Sequence, residues 1–148
     1  MTKDIFLALK GLQIETGEDQ PQELETISPG QYYKRGDSHY VLYDEVTEGF
    51  SAPTKNMIKF RDSLVEVTKK GLINVHLIFE KNKKNMTSYA TPYGNIMIGI
   101  DTRDVQIREE EQRITVNVWY ALEANYQHLS DCRIDLDIRP RQDGIRLI

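Results

Sequence analysis

The chain has 148 residues, a formal net charge of −4, 39% hydrophobic and 28% charged residues, and one cysteine. That length fits a single domain over residues 1–148, able to bury roughly 70% of its unfolded surface without a metal or disulfide staple. The acidic balance argues against nucleic acid as a partner, and the lone Cys132 cannot form an intrachain disulfide, which fits a reducing, cytoplasmic setting.

In chain order, the first apolar run is Ile5-Phe6-Leu7-Ala8-Leu9, bracketed by Asp4 and Lys10. It is shorter than the roughly 7–15 apolar residues of a signal sequence, and nothing approaches the roughly 20 that span a bilayer, so no membrane partner is expected. Ile5, Leu7 and Leu9 alternate, and Leu12 and Ile14 resume in the opposite phase, so Lys10-Gly11 reads as a bulge. Gly17 to Pro21 reads as a turn, Leu24 and Thr26 as a second strand, and Pro29-Gly30 as a break. Tyr32 to Lys34 and His39 to Val46 flank the turn Arg35-Gly36-Asp37-Ser38, which predicts a hairpin. The best helical candidate, Glu45 to Met57, is broken by Gly49 and Pro53.

Met57 to Phe60 and Leu64 to Thr68 flank Arg61-Asp62 as another hairpin. Ile73, Val75, Leu77 and Phe79 alternate, Lys81 to Asn85 reads as a polar turn, and Met86 to Thr91 is a strand ending at Pro92-Tyr93-Gly94. Ile96, Ile98 and Ile100 follow, then a charged interruption at Asp101 to Asp104, then Val105 and Ile107. Ile114, Val116, Val118, Tyr120 and Leu122 make the most regular strand, and Ile134, Leu136 and Ile138 the last, closed by Pro140. The pattern predicts an all-β protein of about eight to ten strands joined by short loops, in one antiparallel sheet that closes into an up-and-down barrel.

The run from Gly30 through Tyr32-Tyr33-Lys34-Arg35-Gly36-Asp37-Ser38-His39 to Glu45 resembles the YwiB-like family of small bacterial proteins. So does Ser88-Tyr89-Ala90-Thr91-Pro92-Tyr93-Gly94 with the alternating strand and Thr102 after it. The resemblance covers nearly the whole chain. It implies a calycin-like, lipocalin-type barrel from a Gram-positive bacterium of the Bacillota. The family is of unknown function, so no catalytic residue is carried over. The chain departs from lipocalins, whose Gly-x-Trp stands near the first strand, because its one tryptophan is Trp119. It also lacks the terminal Arg-x-Tyr of intracellular fatty-acid-binding proteins, reading Asp137-Ile138-Arg139-Pro140-Arg141 instead.

Motifs of catalysis are absent, so no catalytic residue and no cofactor is expected. Gly36-Asp37-Ser38 lies in a hairpin turn, where those residues serve the backbone, and not in the strand-to-helix elbow of a nucleophilic serine. His39, His76 and His128 share no metal-ligand spacing, so no metal site is expected. Asp135 and Asp137 alternate with Ile134, Leu136 and Ile138, as on a solvated sheet face.

The tyrosines, eight against four phenylalanines, are the suggestive feature. Tyr120 shares phase with Val116, Val118 and Leu122; Tyr43 with Val41; and Tyr89 with Thr87 and Thr91. Inward tyrosines either line a pocket or fill a core by bonding one another and the backbone. The pocket reading places a small, partly polar ligand among Tyr43, Tyr89 and Tyr120, with Arg103 at the mouth. The alternative is a structural or interaction protein, dimerising or meeting a partner through an outer face bearing Ile78, Met97 and Trp119.

Overall fold

The computed structural model describes residues 1–11, 25–46 and 49–141. Its ten strands are β1 (Asp4–Lys10), β2 (Glu25–Arg35), β3 (Ser38–Glu45), β4 (Thr54–Arg61), β5 (Leu64–Lys70), β6 (Val75–Glu80), β7 (Lys83–Thr91), β8 (Gly94–Glu110), β9 (Arg113–Ala124) and β10 (Gln127–Pro140). The described residues contain no helix. Every ladder is antiparallel, in the order β6-β5-β4-β3-β2-β1-β10-β9-β8-β7. Sequence neighbours pair throughout except at one place, and β1 joins β10. The two edges, β6 and β7, are consecutive in the chain and meet through the bridge between Asn74 and Ala90. The result is the expected up-and-down barrel, nearly closed.

The open seam has a local cause. The Lys81 amide donates to the Ser63 carbonyl, extending the β5 side, whereas the Asn82 amide donates to the Thr102 carbonyl, extending the β8 side. The two halves of the turn between β6 and β7 thus belong to different ladders.

Alternation decides the rest. The inward set forms one buried cluster, with Ile5, Leu7, Ile58, Phe60, Leu77 and Phe79 among its largest fully buried side chains. Each such side chain contributes roughly 1.5–3 kcal/mol by leaving water.

Two sequence-read breaks are strand. Pro29 and Gly30 lie within β2, opposite Phe6 and Ile5 of β1. The ladder from β2 to β3 begins only at Gln31 and Leu42, so the proline sits where its missing N–H costs no bond on that side. Asp101 to Asp104 lie within β8, whose one irregularity is a bulge between Thr102 and Asp104. The polar turn shrinks to Lys81-Asn82, since β7 starts at Lys83. β10 starts at Gln127, well before the alternation at Ile134, because its first half pairs with β9 while carrying mostly polar side chains. At Gly11 the chain leaves β1 with φ +81°, and the Arg133 carbonyl leaves no room for a Cβ. Leu12, Ile14, the turn from Gly17 to Pro21 and Leu24 lie outside the described residues.

Candidate functional site

The barrel interior is mostly apolar, with buried polar side chains at Thr102 on β8 and at both ends, one of them the end where β3 and β5 finish. There the ladders align Tyr43 of β3 with Asn56 of β4, and Asn56 with Lys69 of β5. These three inward side chains sit side by side on adjacent strands, and they are 7%, 2% and 5% exposed. Lys69 shares the inward phase of Val65 and Val67, and Asn56 that of Ile58 and Phe60. Glu45, two residues beyond Tyr43 in the same phase, approaches Lys69 with Nζ and Oε1 3.3 Å apart. Tyr89 faces this rung from across the seam, next to the Asn74–Ala90 bridge, and packs against the core.

The rung is polar and incompletely bonded. Asn56 donates its Nδ2 to the Thr54 carbonyl at 3.2 Å, while the Leu72 amide donates to the Thr54 hydroxyl at 3.2 Å. Asn56 Oδ1 and the Tyr43 hydroxyl are buried without a partner among the described residues. Each such group costs about 1–3 kcal/mol of desolvation that nothing repays. Burial pushes the Tyr43 phenol well above its ordinary range and raises that of Tyr89, and the Glu45 carboxylate adds to both shifts. Both therefore stay neutral and able to donate.

The wall beside this rung is split. Because the β2–β3 ladder stops at Gln31 and Leu42, the two strands part above it, and Gly30 has no room for a Cβ against the Leu42 carbonyl. A cleft of about 680 Å³ opens there, lined by Pro29, Gly30, Gln31, Tyr43, Val46 and Asn56 among others. Its lining mixes the outward Leu42 and the exposed Asp44–Lys55 pair with the inward Tyr43 and Asn56, whose unbonded atoms are themselves closed off from solvent.

The opposite end holds a second polar group. The long β8–β9 hairpin brings Glu109 to the β2–β3 hairpin, 3.4 Å from Lys34 Nζ and 3.5 Å from His39 Nε2. His39 is buried, stacked on Phe60 at 4.7 Å, and its Nδ1 lies 2.8 Å from the Tyr32 hydroxyl. The short contact pairs Nδ1 with the Tyr32 hydroxyl, in a direction set by the tautomer, while Nε2 faces the Glu109 carboxylate across a longer charge contact. Burial lowers the His39 pKa, with Glu109 opposing and Lys34 reinforcing. These contacts satisfy one another and tie two hairpins together.

The sequence-derived candidates divide. Tyr43 and Tyr89 both lie within electrostatic reach of Glu45. Tyr120 is buried on β9, edge-on to Phe79 at 5.0 Å and opposite Thr102, where it fills core. Arg103 stands on the β8 bulge, exposed and 3.6 Å from Asp131, and does not join the tyrosines. Ile78, Met97 and Trp119 occupy separate places on the outer face. Trp119 lies opposite Asp104 and under the Arg133 guanidinium at 5.0 Å. Asp104 is seven residues from Met97 along β8, roughly 20 Å, so Met97 and Trp119 share no patch. An outer depression of about 360 Å³ over β1, β9 and β10 is filled with paired charges, Arg113 with Asp137 and Arg133 with Asp135. Among the described residues no group of three or more His, Cys, Asp or Glu is placed to hold a metal, and no helix is long and apolar enough to cross a membrane.

Asn56, Lys69, Glu45 and the Tyr32–His39–Glu109 group escape a reading of phase confined to aromatics. Their signal was present: a polar residue standing in an apolar register.

Comparison with known proteins agrees with this architecture. No curated protein matches the chain. The crystal structure of the ywiB protein from Bacillus subtilis superposes with a TM-score of 0.78 at 17% identity, over 95% of this chain and 93% of that one. It shares the barrel. The family model described as a domain of unknown function, DUF1934, matches residues 7–136. The chain therefore belongs to the DUF1934 family.

Proposed function

We propose that the protein is a binding module whose barrel holds a small, partly polar molecule at the rung formed by Tyr43, Asn56 and Lys69, with Tyr89 facing it. Calycin-type barrels offer the same use of a closed sheet, and a cytoplasmic setting suits the single free cysteine. The observation behind this reading is the pair of orphaned atoms, Tyr43 OH and Asn56 Oδ1, buried beside an ammonium and next to a cleft. Native proteins rarely leave buried polar groups unpaired, and a ligand that bonds both removes the cost. Native mass spectrometry of freshly purified protein tests it. A stoichiometric adduct lost in Asn56→Leu supports binding; a bare chain in every preparation counts against it.

Self-association is the second reading. Met97 lies diagonal to Met86 across the β7–β8 ladder, and both are exposed. A dimeric mass by light scattering that reverts to monomer in Met97→Lys supports it. A monomer at micromolar concentration removes it.

A further inference from the structure

Building on the binding reading above, we infer that the ligand is a small organic acid, a carboxylate with a neighbouring hydroxyl or amino group, and that Glu45 is the displaceable stand-in for its carboxylate. The two members of the Lys69–Glu45 pair are not equivalent. The Lys69 side chain is 6% exposed, inward on β5 between Asn56 and Val75, whereas Glu45 is the last residue of β3 and its side chain is 30% exposed. Glu45 can rotate towards water at little cost. Lys69 cannot leave, and a buried ammonium without a counter-charge is strongly unfavourable. Whatever displaces Glu45 therefore has to bring negative charge.

The remaining groups refine the class. An ammonium has three N–H donors, and among the described residues Lys69 engages one acceptor at 3.3 Å. The neutral Tyr43 hydroxyl offers a further donor to an anion. Asn56 Oδ1, with Nδ2 committed to Thr54, requires a donor from the ligand. Tyr43, Asn56 and Lys69 stand on three adjacent strands, about 10 Å across, a span that a short hydroxy acid covers. A cationic ligand on Glu45 would instead leave Lys69 beside a like charge.

Titration calorimetry at pH 7 and low salt tests this with three probes: malate, neutral glycerol and cationic ethanolamine. Malate is expected to bind the wild type. It should weaken by about tenfold or more in Lys69→Met, the loss of one charge-assisted contact, and tighten in Glu45→Gln, where the internal competitor is gone. Malate binding that is indifferent to both substitutions, or no malate binding to either the wild type or Glu45→Gln, overturns the inference. If glycerol or ethanolamine binds and depends on Asn56, the acid is wrong while the binding reading stands. If none of the three binds and no molecule co-purifies, both fall.

Discussion

Tyr43 carries a hydroxyl that is buried and unbonded among the described residues, so its removal separates stability from function. Tyr43→Phe deletes an unsatisfied group and keeps the ring, and it should leave the unliganded protein as stable as the wild type or up to about 1 kcal/mol more stable. The same change should weaken any ligand bonded there. Urea unfolding reads the first effect; a stability loss beyond about 1 kcal/mol would mean that the hydroxyl has a partner. His39 gives the reverse case, a buried group with a bonded partner at Nδ1 and a carboxylate facing Nε2. Its pKa in the fold lies below the unfolded value, so the unfolded chain binds the extra proton first. Stability from His39 is complete above the unfolded pKa, near 6.5, and is lost as pH falls through the folded value. Thermal midpoints should fall between pH 7.5 and 5.5 more steeply in the wild type than in His39→Gln, and equal slopes would deny His39 this role. Glu109 and Lys34 are the charged groups that face it, and Tyr32 holds its other nitrogen.

At the level of the element, hairpins were legible because strict alternation between short turns admits no other period. Strand continuity was less so. Pro29-Gly30 and Asp101 to Asp104 look like breaks in isolation, yet ladder partners distant in sequence, Phe6 and Ile5 for one and Tyr120 and Trp119 for the other, carry the strand through. The site was half legible for the same reason. Phase alone sent Tyr43 and Tyr120 inward and tied Tyr89 to the face of Thr87 and Thr91, but which of them meets a polar neighbour depends on register across the sheet. Tyr120 meets Phe79, whereas Tyr43 meets Asn56 and, beyond it, Lys69. Gly11 shows what the sequence did mark. With φ at +81° and the Arg133 carbonyl in the place of a Cβ, Gly11→Ala should cost about 2 kcal/mol or more, read by urea unfolding. A neutral substitution would show that β1 ends differently.

For the whole molecule, the barrel is a single antiparallel sheet with one weak seam. β9 has a full ladder on each side, whereas β6 and β7 share one bridge. Native-state hydrogen exchange should therefore open β6 and β7 roughly tenfold or more faster than β9, and uniform protection would mean that the seam is laddered in solution. The seam and the β2–β3 split both border the rung of Tyr43, Asn56 and Lys69, so two of the three buried side-chain atoms left unbonded among the described residues lie where the wall is least continuous, while the third, Thr102 Oγ1, lies on β8 opposite Tyr120. A crystal structure of the protein as purified tests this most directly. A small organic molecule with polar atoms within hydrogen-bond distance of Tyr43 OH and Asn56 Oδ1 is the expected result. A rung packed solid, with both atoms bonded to the chain itself, would contradict it.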